Sequence, residues 1–285
     1  MFSEKIQIEI QRNVAEALAE DIGSGDLTAR LVSADSMAVG QVITREAAIL
    51  CGCAWFEASF FSLDPTCEIK WFARDGDLLS SGQTICEITT RARTLLTAER
   101  TALNFLQLLS GTATLTSRYV KAIQGTASRI VDTRKTLPGL RLAQKYAVAI
   151  GGGYNHRVGL YDGVLIKENH ILAAGGIAQV MDNAREITPE HVFIEIEVET
   201  LVELKEALEA GARMILLDNM DLQTMAKAVE LTAGRAELEA SGGVNLETIR
   251  AIAETGVDRI SVGGLTKNVS AIDLSLRHVE KKRDQ

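Results

Sequence analysis

The chain has no basic excess. Thirty lysines and arginines stand against 38 aspartates and glutamates, a net charge of −8. That argues against nucleic acid as the main partner, since the totals imply no basic face, and any anion site must be local. No run reaches the roughly 18 uncharged apolar residues of a membrane span. The opening MFSEKIQIEIQRNVAEALAED carries acids throughout and has no apolar h-region, so no signal peptide is expected. Only four cysteines occur, Cys51, Cys53, Cys67 and Cys86, all in the first third. Cys51-Gly-Cys53 has neither a second pair nor histidines at ligand spacing. Reduced, packed thiols in a cytoplasmic protein are therefore expected rather than a metal or redox centre. Histidine is scarce as well, with four in 285 residues, and no cysteine or serine–histidine nucleophile pair stands out.

What is present is apolar bulk, 46% of the residues, enough for one large α/β domain or two unequal ones. Val14, Ala17 and Leu18 lie at helical spacing, and the run from Asp21 to Asp26 breaks that helix. Residues 38–52 and 67–92 are rich in β-branched side chains, with turn signals at Asp75-Gly76 and Ser81-Gly82. AWFEASFFSL between them reads as an apolar helix. A long helical stretch covers 94–123, and Gly111 within it is expected to mark a hinge between modules.

Beyond it, short apolar runs end in polar or glycine residues, and a helix pattern follows each. RIVD ends at Asp132-Thr133, GVLI at Lys167, MILL at Asp218, LEA at Ser241 and RISV at Gly263, while FIEIEV contains Glu197. The spacings from Glu197 to Asp218 to Ser241 to Gly263 are 21, 23 and 22 residues, as consecutive βα units require. Thr200 with Glu203 forms a capping box. Asn245 suits the start of a helix with apolar face Leu246, Ile249, Ile252 and Ala253 and with Gly256 as its stop. Alternating buried strands and amphipathic helices imply a parallel sheet, and six units without reversal favour a barrel.

Barrel geometry aims the C-terminal strand ends into one mouth. There the residues are Thr133, Arg134, Lys135, Lys167, Glu197, Asp218, Ser241-Gly242-Gly243 and Gly263-Gly264, a polyanion pocket with carboxylates on the opposite side. Two such acids facing phosphates commonly share the load through Mg²⁺. DTRKT equally fits a helix-start turn with a solvated basic pair, and Asp218-Asn219 a helix cap. Glu195, Glu197 and Glu199 alternate on one strand face; inside a barrel, Glu197 needs cationic partners. The three glycines of GGGYNHRVGLYDGVLIKENH (151–170) are expected to let backbone pass close to an anionic ligand, with His156, Arg157 and Lys167 lining its site.

EDIGSGDLTA (20–29), AERTALNFLQLLSGTAT (98–114), DTRKTLPGLR (132–141), residues 151–170, EIEVET (195–200), ILLDNM (215–220) and the segment 241–266 together resemble the quinolinate phosphoribosyltransferase family, in order and over almost the whole chain. DTRKT, NHR and LIKENH carry most of the specificity. The resemblance implies an N-terminal α/β sandwich domain (1–113) followed by an incomplete (β/α) barrel (114–269), with a tail, 270–285, that packs back on the first domain. It also implies a homodimer and transfer of phosphoribose from 5-phosphoribosyl-1-pyrophosphate to quinolinate with Mg²⁺. The products are nicotinate mononucleotide, pyrophosphate and CO₂, in NAD synthesis.

Family roles then fall on matching positions. Arg100 (from the partner subunit), Thr133, Arg134, Lys135, His156, Arg157 and Lys167 would meet quinolinate and nearby phosphate oxygens. Lys135, Lys167, Glu197, Asp218, Ser241 to Gly243 and Val262 to Gly264 would meet ribose and phosphates. Lys135, Glu197 and Asp218 are the expected catalytic groups, with Mg²⁺ held mainly by substrate and water near Glu197 and Asp218. The competing readings are a nicotinate phosphoribosyltransferase, the related protein encoded with molybdate uptake systems, and a silent metabolite-binding or scaffold protein on the same fold.

Overall fold

A computed structural model describes residues 4–279. In chain order the elements are α1 (Glu4–Ile22), β1 (Met37–Thr44), β2 (Ala48–Ile49), α2 (Cys53–Phe61), β3 (Glu68–Trp71), β4 (Leu78–Leu79), β5 (Thr84–Arg91) and α3 (Ala92–Ala122). They continue as β6 (Arg129–Val131), α4 (Arg141–Ile150), β7 (Gly163–Ile166), α5 (Glu168–Ala174), α6 (Ile177–Ile187), β8 (Phe193–Val198), α7 (Leu201–Glu209) and β9 (Met214–Asp218). The remainder is α8 (Leu222–Thr232), β10 (Glu237–Ser241), α9 (Ile249–Glu254), β11 (Arg259–Ser261), α10 (Gly264–Lys267) and β12 (Leu274–Val279). No helix among the described residues is long and apolar enough to cross a membrane.

The chain forms two compact units. The first gathers residues 4–115, 137–151 and 268–279. Its antiparallel sheet has the order β12-β1-β5-β3, with β2 and β4 as a separate ribbon. Val42, Ile88, Phe56, Phe60, Leu95, Leu103 and Leu106 form one hydrocarbon core. A second core joins Val14, Trp55, Leu109, Ala143 and Ala147, where Trp55 Nε1 donates to Asn13 Oδ1 at 3.1 Å. In the tail, β12 pairs with β1 from Val39↔Val279 to Thr44↔Leu274; residues 280–285 lie outside the described part. The cysteines are free, and burial raises the thiols of Cys51, Cys53, Cys67 and Cys86.

Two expectations change here. Gly111 does not break α3, which is continuous from Ala92 to Ala122. A Cβ at Gly111 would stand 2.2 Å from Ser270 O, so the glycine admits a crossing backbone rather than providing a hinge. Residues 137–151 follow β6 in sequence, yet α4 packs its Ala143 and Ala147 with Val14 and Trp55 of the first unit.

The second unit holds six parallel strands in the order β6-β11-β10-β9-β8-β7. β7 through β11 are neighbours in chain order, β11 returns to β6, and the β6–β7 seam is left open. This is an incomplete barrel. At the seam, Tyr154 makes a single parallel bridge to Val131, its N–H donating to Ile130 O at 2.8 Å. The local start signals operate at the helices. Thr200 Oγ1 accepts from Glu203 N, while Glu203 Oε2 accepts from Thr200 N at 3.0 Å. Asn245 Oδ1 takes the Glu247 and Thr248 N–H groups of a turn, so α9 begins at Ile249, later than its apolar pattern suggests.

Candidate active site

At the C-terminal ends of the parallel strands lies a cavity of about 300 Å³, lined by Thr133, Arg134, Lys135, His156, Arg157, Leu165, Lys167, Glu197, Leu216, Glu239, Ser241 and Ser261. Eight of the expected residues therefore converge, although 108 positions separate Thr133 from Ser241. Asp218 ends β9 in register with Ser241 but is not in the cavity wall. Gly242, Gly243, Val262, Gly263 and Gly264 follow the tips of β10 and β11, also outside that wall. Arg100 is exposed on α3, in the first unit.

DTRKT is not a helix-start turn. It runs on from β6 well before α4, with Lys135 N donating to Thr133 Oγ1 at 3.0 Å and Thr266 Oγ1 to Lys135 O at 2.7 Å. A Cβ at Gly263 would approach Lys135 Cδ to 3.0 Å, so the glycine leaves room for the lysine stem. Asp132, fully buried, accepts from His156 N at 2.8 Å and Asn155 Nδ2 at 2.7 Å. The NHR segment is thereby tied to the end of β6. Arg157 Nη1 donates to Gly163 O at 3.0 Å. Burial, then the charge of Arg134, lowers the Arg157 guanidinium below its ordinary range. A site that crowds two guanidinium groups is poised for an anion.

Lys167 Nζ forms an ion pair with Glu197 Oε2, the cationic partner that an inward Glu197 requires. Asp218 does not cap α8: Asp221 does, accepting from Thr224 N at 2.7 Å. Asp218 instead accepts from Asn219 Nδ2 at 2.8 Å. Asn219 adopts the left-handed φ of 52°, and its Oδ1 stands 2.1 Å from where a Cβ on Gly242 would be. Only glycine fits there. The Gly151–Gly153 run has a different role from the one expected. Gly151 ends α4, bonded to Ala147 O, and Gly152 turns the chain at φ 88°. None of the three lines the cavity.

The sequence reading missed two buried acids at the cavity: Glu239 in its wall and Glu195 against His156. Glu195 and Glu239 are completely or almost completely buried and flank His156. His156 Nε2 is 2.7 Å from Glu195 Oε2 and 3.7 Å from Glu239 Oε2. Arg259 Nε reaches Glu239 Oε2 at 3.1 Å without the alignment of a hydrogen bond, and Glu195 Oε1 has no partner among the described residues. Burial, then the Glu195 charge, raises the Glu239 carboxyl above the ordinary carboxylate range. The side chains of His156, Glu195 and Glu239 could surround a metal ion by proximity, but the 2.7 Å contact is a hydrogen-bond length. Glu195 had a legible signal in the Glu195–Glu197–Glu199 alternation. Glu239 had little beyond being an acid inside a buried strand.

Comparison with known proteins gives the family. The profile of the quinolinate phosphoribosyl transferase N-terminal domain matches residues 26–110, and that of the C-terminal domain matches 112–277. The chain is 40% identical over 269 residues to the probable nicotinate-nucleotide pyrophosphorylase (carboxylating) of Bacillus subtilis, covering 94% of this chain and 93% of that one. It is 41% identical to the chloroplastic nicotinate-nucleotide pyrophosphorylase (carboxylating) of Arabidopsis thaliana, over 92% of this chain and 80% of that one. The solved nicotinate-nucleotide pyrophosphorylase of Francisella tularensis superposes with a TM-score of 0.92 at 46% identity, covering 95% and 96% of the two chains. With both domain profiles matched in order along one chain, this protein belongs to the quinolinate phosphoribosyltransferase family.

Proposed function

We propose that the chain transfers phosphoribose from 5-phosphoribosyl-1-pyrophosphate to quinolinate with decarboxylation, giving nicotinate mononucleotide, pyrophosphate and CO₂ for NAD synthesis. The observation that carries this reading is the convergence of Arg134, Lys135, Arg157 and Lys167 with Glu197 on one cavity. Cations on that scale suit a twice-carboxylated ring and an activated sugar together. Nicotinate has a single carboxylate and needs fewer.

In this reading Arg134, Arg157 and Lys167 hold the dicarboxylate, and Lys135 stands by the pyrophosphate or the reacting ribose. The pyridine nitrogen bonds to C1′ as the C1′–oxygen bond breaks, and the electron pair leaves with pyrophosphate. Glu197 and Asp218 stabilise the positive sugar, contacting its hydroxyls. The ring nitrogen is then cationic and stabilises, as an ylide, the electron pair left on C2 when the adjacent carboxylate departs as CO₂; a proton from water then takes the vacated position on C2. The protein acts chiefly by position and charge, as effective molarity allows. The 5′-phosphate meets the strand tips at Ser241 to Gly243 and Val262 to Gly264. Mg²⁺ prefers oxygen ligands and retains waters. The carboxylates of Glu197 and Asp218, at the ends of adjacent strands, fit it, and it would neutralise pyrophosphate as the leaving group.

The same reading makes the enzyme a homodimer in which Arg100 reaches the partner's site, and its exposure on α3 is compatible with that. Four free thiols suit a reducing cytoplasm. Incubation with 5-phosphoribosyl-1-pyrophosphate plus either quinolinate or nicotinate, followed by assay of CO₂ and mononucleotide, tests the reaction. Turnover of nicotinate alone would overturn it, and tight quinolinate binding without pyrophosphate release would indicate a silent binder. Mixing Arg100→Ala with Lys167→Ala subunits should restore about a quarter of the sites through mixed dimers. No recovery would remove the shared site.

A further inference from the structure

Loss of CO₂ leaves an electron pair on C2, and the proton that fills it needs a donor beside the ring nitrogen. The carboxyl side chains of the described cavity wall are Glu197 and Glu239. They belong to one inward row, with Leu216 between them. Glu197 is in register with Leu216 of the next strand, and Leu216 with Glu239 of the one after. Neighbouring strands lie about 4.8 Å apart, so roughly 10 Å separates the two backbones. A pyridine ring joined to C1′ spans such a gap. Where Glu197 meets the sugar, the ring atoms beside the nitrogen fall to Glu239.

Their surroundings give the two acids different tasks. Glu197 faces the Lys167 ammonium and supplies the negative charge that a positive sugar needs. Glu239 is 1% exposed, and its Oε2 takes no hydrogen bond from the described residues. Ionising a carboxyl so placed is costly. A second carboxyl, Glu195 of β8, stands across His156, whose Nε2 is 2.7 Å from Glu195 Oε2 and 3.7 Å from Glu239 Oε2. From β11, Arg259 Nε comes within 3.1 Å of Glu239 Oε2, and Ser261 faces the same side chain. Burial, then Glu195, raises the Glu239 carboxyl above the ordinary range. Two carboxyls held in such unlike settings divide into a proton donor and a fixed charge.

We propose that Glu239 is the general acid of the decarboxylation, passing its carboxyl proton to C2 of the ring after CO₂ has left. This rests on the quinolinate reading of the same cavity and deepens it. The C2 electron pair takes the proton, and the O–H electrons remain on Glu239 as a carboxylate beside Arg259. Water returns a proton to Glu239 once the mononucleotide departs, so the hydrogen on C2 is still of solvent origin.

Rapid-quench single turnovers of the full chain test this with Glu239→Gln, which keeps the shape and removes the proton. Pyrophosphate release reports bond formation at C1′, and nicotinate mononucleotide reports protonation at C2. In the variant, mononucleotide formation should fall about 100-fold behind pyrophosphate release, the scale of losing a general acid. A merely structural role slows both products together, and that result, or an unaltered mononucleotide rate, would overturn the proposal. The wild-type protein gives a reading that needs no variant. Its mononucleotide rate should drop relative to its pyrophosphate rate as pH rises through the raised Glu239 range, and a pH-independent ratio overturns the assignment. If Glu239→Gln folds poorly, that profile decides alone. Wild type that releases no pyrophosphate with quinolinate overturns the parent reading and this one with it. A failure confined to the ratio of the two products overturns this one only.

Discussion

In the first unit Val42, Ile88 and Leu274 pack with Phe56, Phe60, Leu95 and Leu103, and what is enclosed is hydrocarbon. Beneath the cavity of the second unit, β8, β10 and β11 instead bring together Glu195, Glu239 and Arg259 around His156. Apolar contacts add to stability wherever shapes match. Buried charges add little net stability and must be paired, yet once paired they hold neighbouring groups in fixed places. The comparison teaches where chemistry is tolerated: the cavity adjoins buried charges, whose burial adds less to folding than that of hydrocarbon.

The first way to break that contrast is in the hydrocarbon core. Phe56→Ala should lower unfolding free energy by about 3–5 kcal/mol, read by urea denaturation, with the quinolinate KM of the folded fraction little changed. A large KM change would mean that the two regions are not separable. Lys135→Ala should do the reverse. Turnover falls about 100- to 1,000-fold, the scale of losing one preorganised donor, while the melting curve stays near wild type. Near-normal pyrophosphate release would strip Lys135 of its role.

A subtler probe is pH. Because the folded Glu239 carboxyl is raised by burial and by Glu195, it keeps its proton where the unfolded chain has released it. Its contribution is thus fully present on the acid side of the ordinary carboxylate value and is lost as pH rises through the raised range. For one proton the slope is no steeper than about 1.4 kcal/mol per pH unit. Glu239→Gln should flatten this part of the stability profile, and an unchanged slope would assign it to another group. Smallest of all, Thr200→Ala removes one half of the α7 capping box and should cost about 1 kcal/mol in thermal stability, with no effect on substrate KM.

Much of the second unit was legible because a strand buried in a parallel sheet reads as a short apolar run with its chemistry at the end. The runs ending at Lys167, Asp218 and Ser241 are β7, β9 and β10. Thr200 and Glu203 were legible because a capping box is made by four consecutive residues. The failures share a different cause. Gly111 looked like a break because glycine disfavours helix interiors, whereas the reason for it lies at Ser270. Gly151–Gly153 looked like a ligand loop, whereas Gly151 ends α4 and Gly152 turns the chain.

The sequence by itself determined most of the strands of the second unit, the capping box at Thr200 and Glu203, and the kinds of side chain delivered to each strand end, since these follow from periodicity and from contacts within a turn or two. Tertiary structure alone decided that the β6–β7 seam stays open, that Asp132 ties down His156, and that Glu195 and Glu239 close around it. Those pairings join residues 24, 39 and 83 positions apart. A hydrogen bond between distant residues leaves no local trace in composition or period, because its energy depends on where folding brings the two atoms.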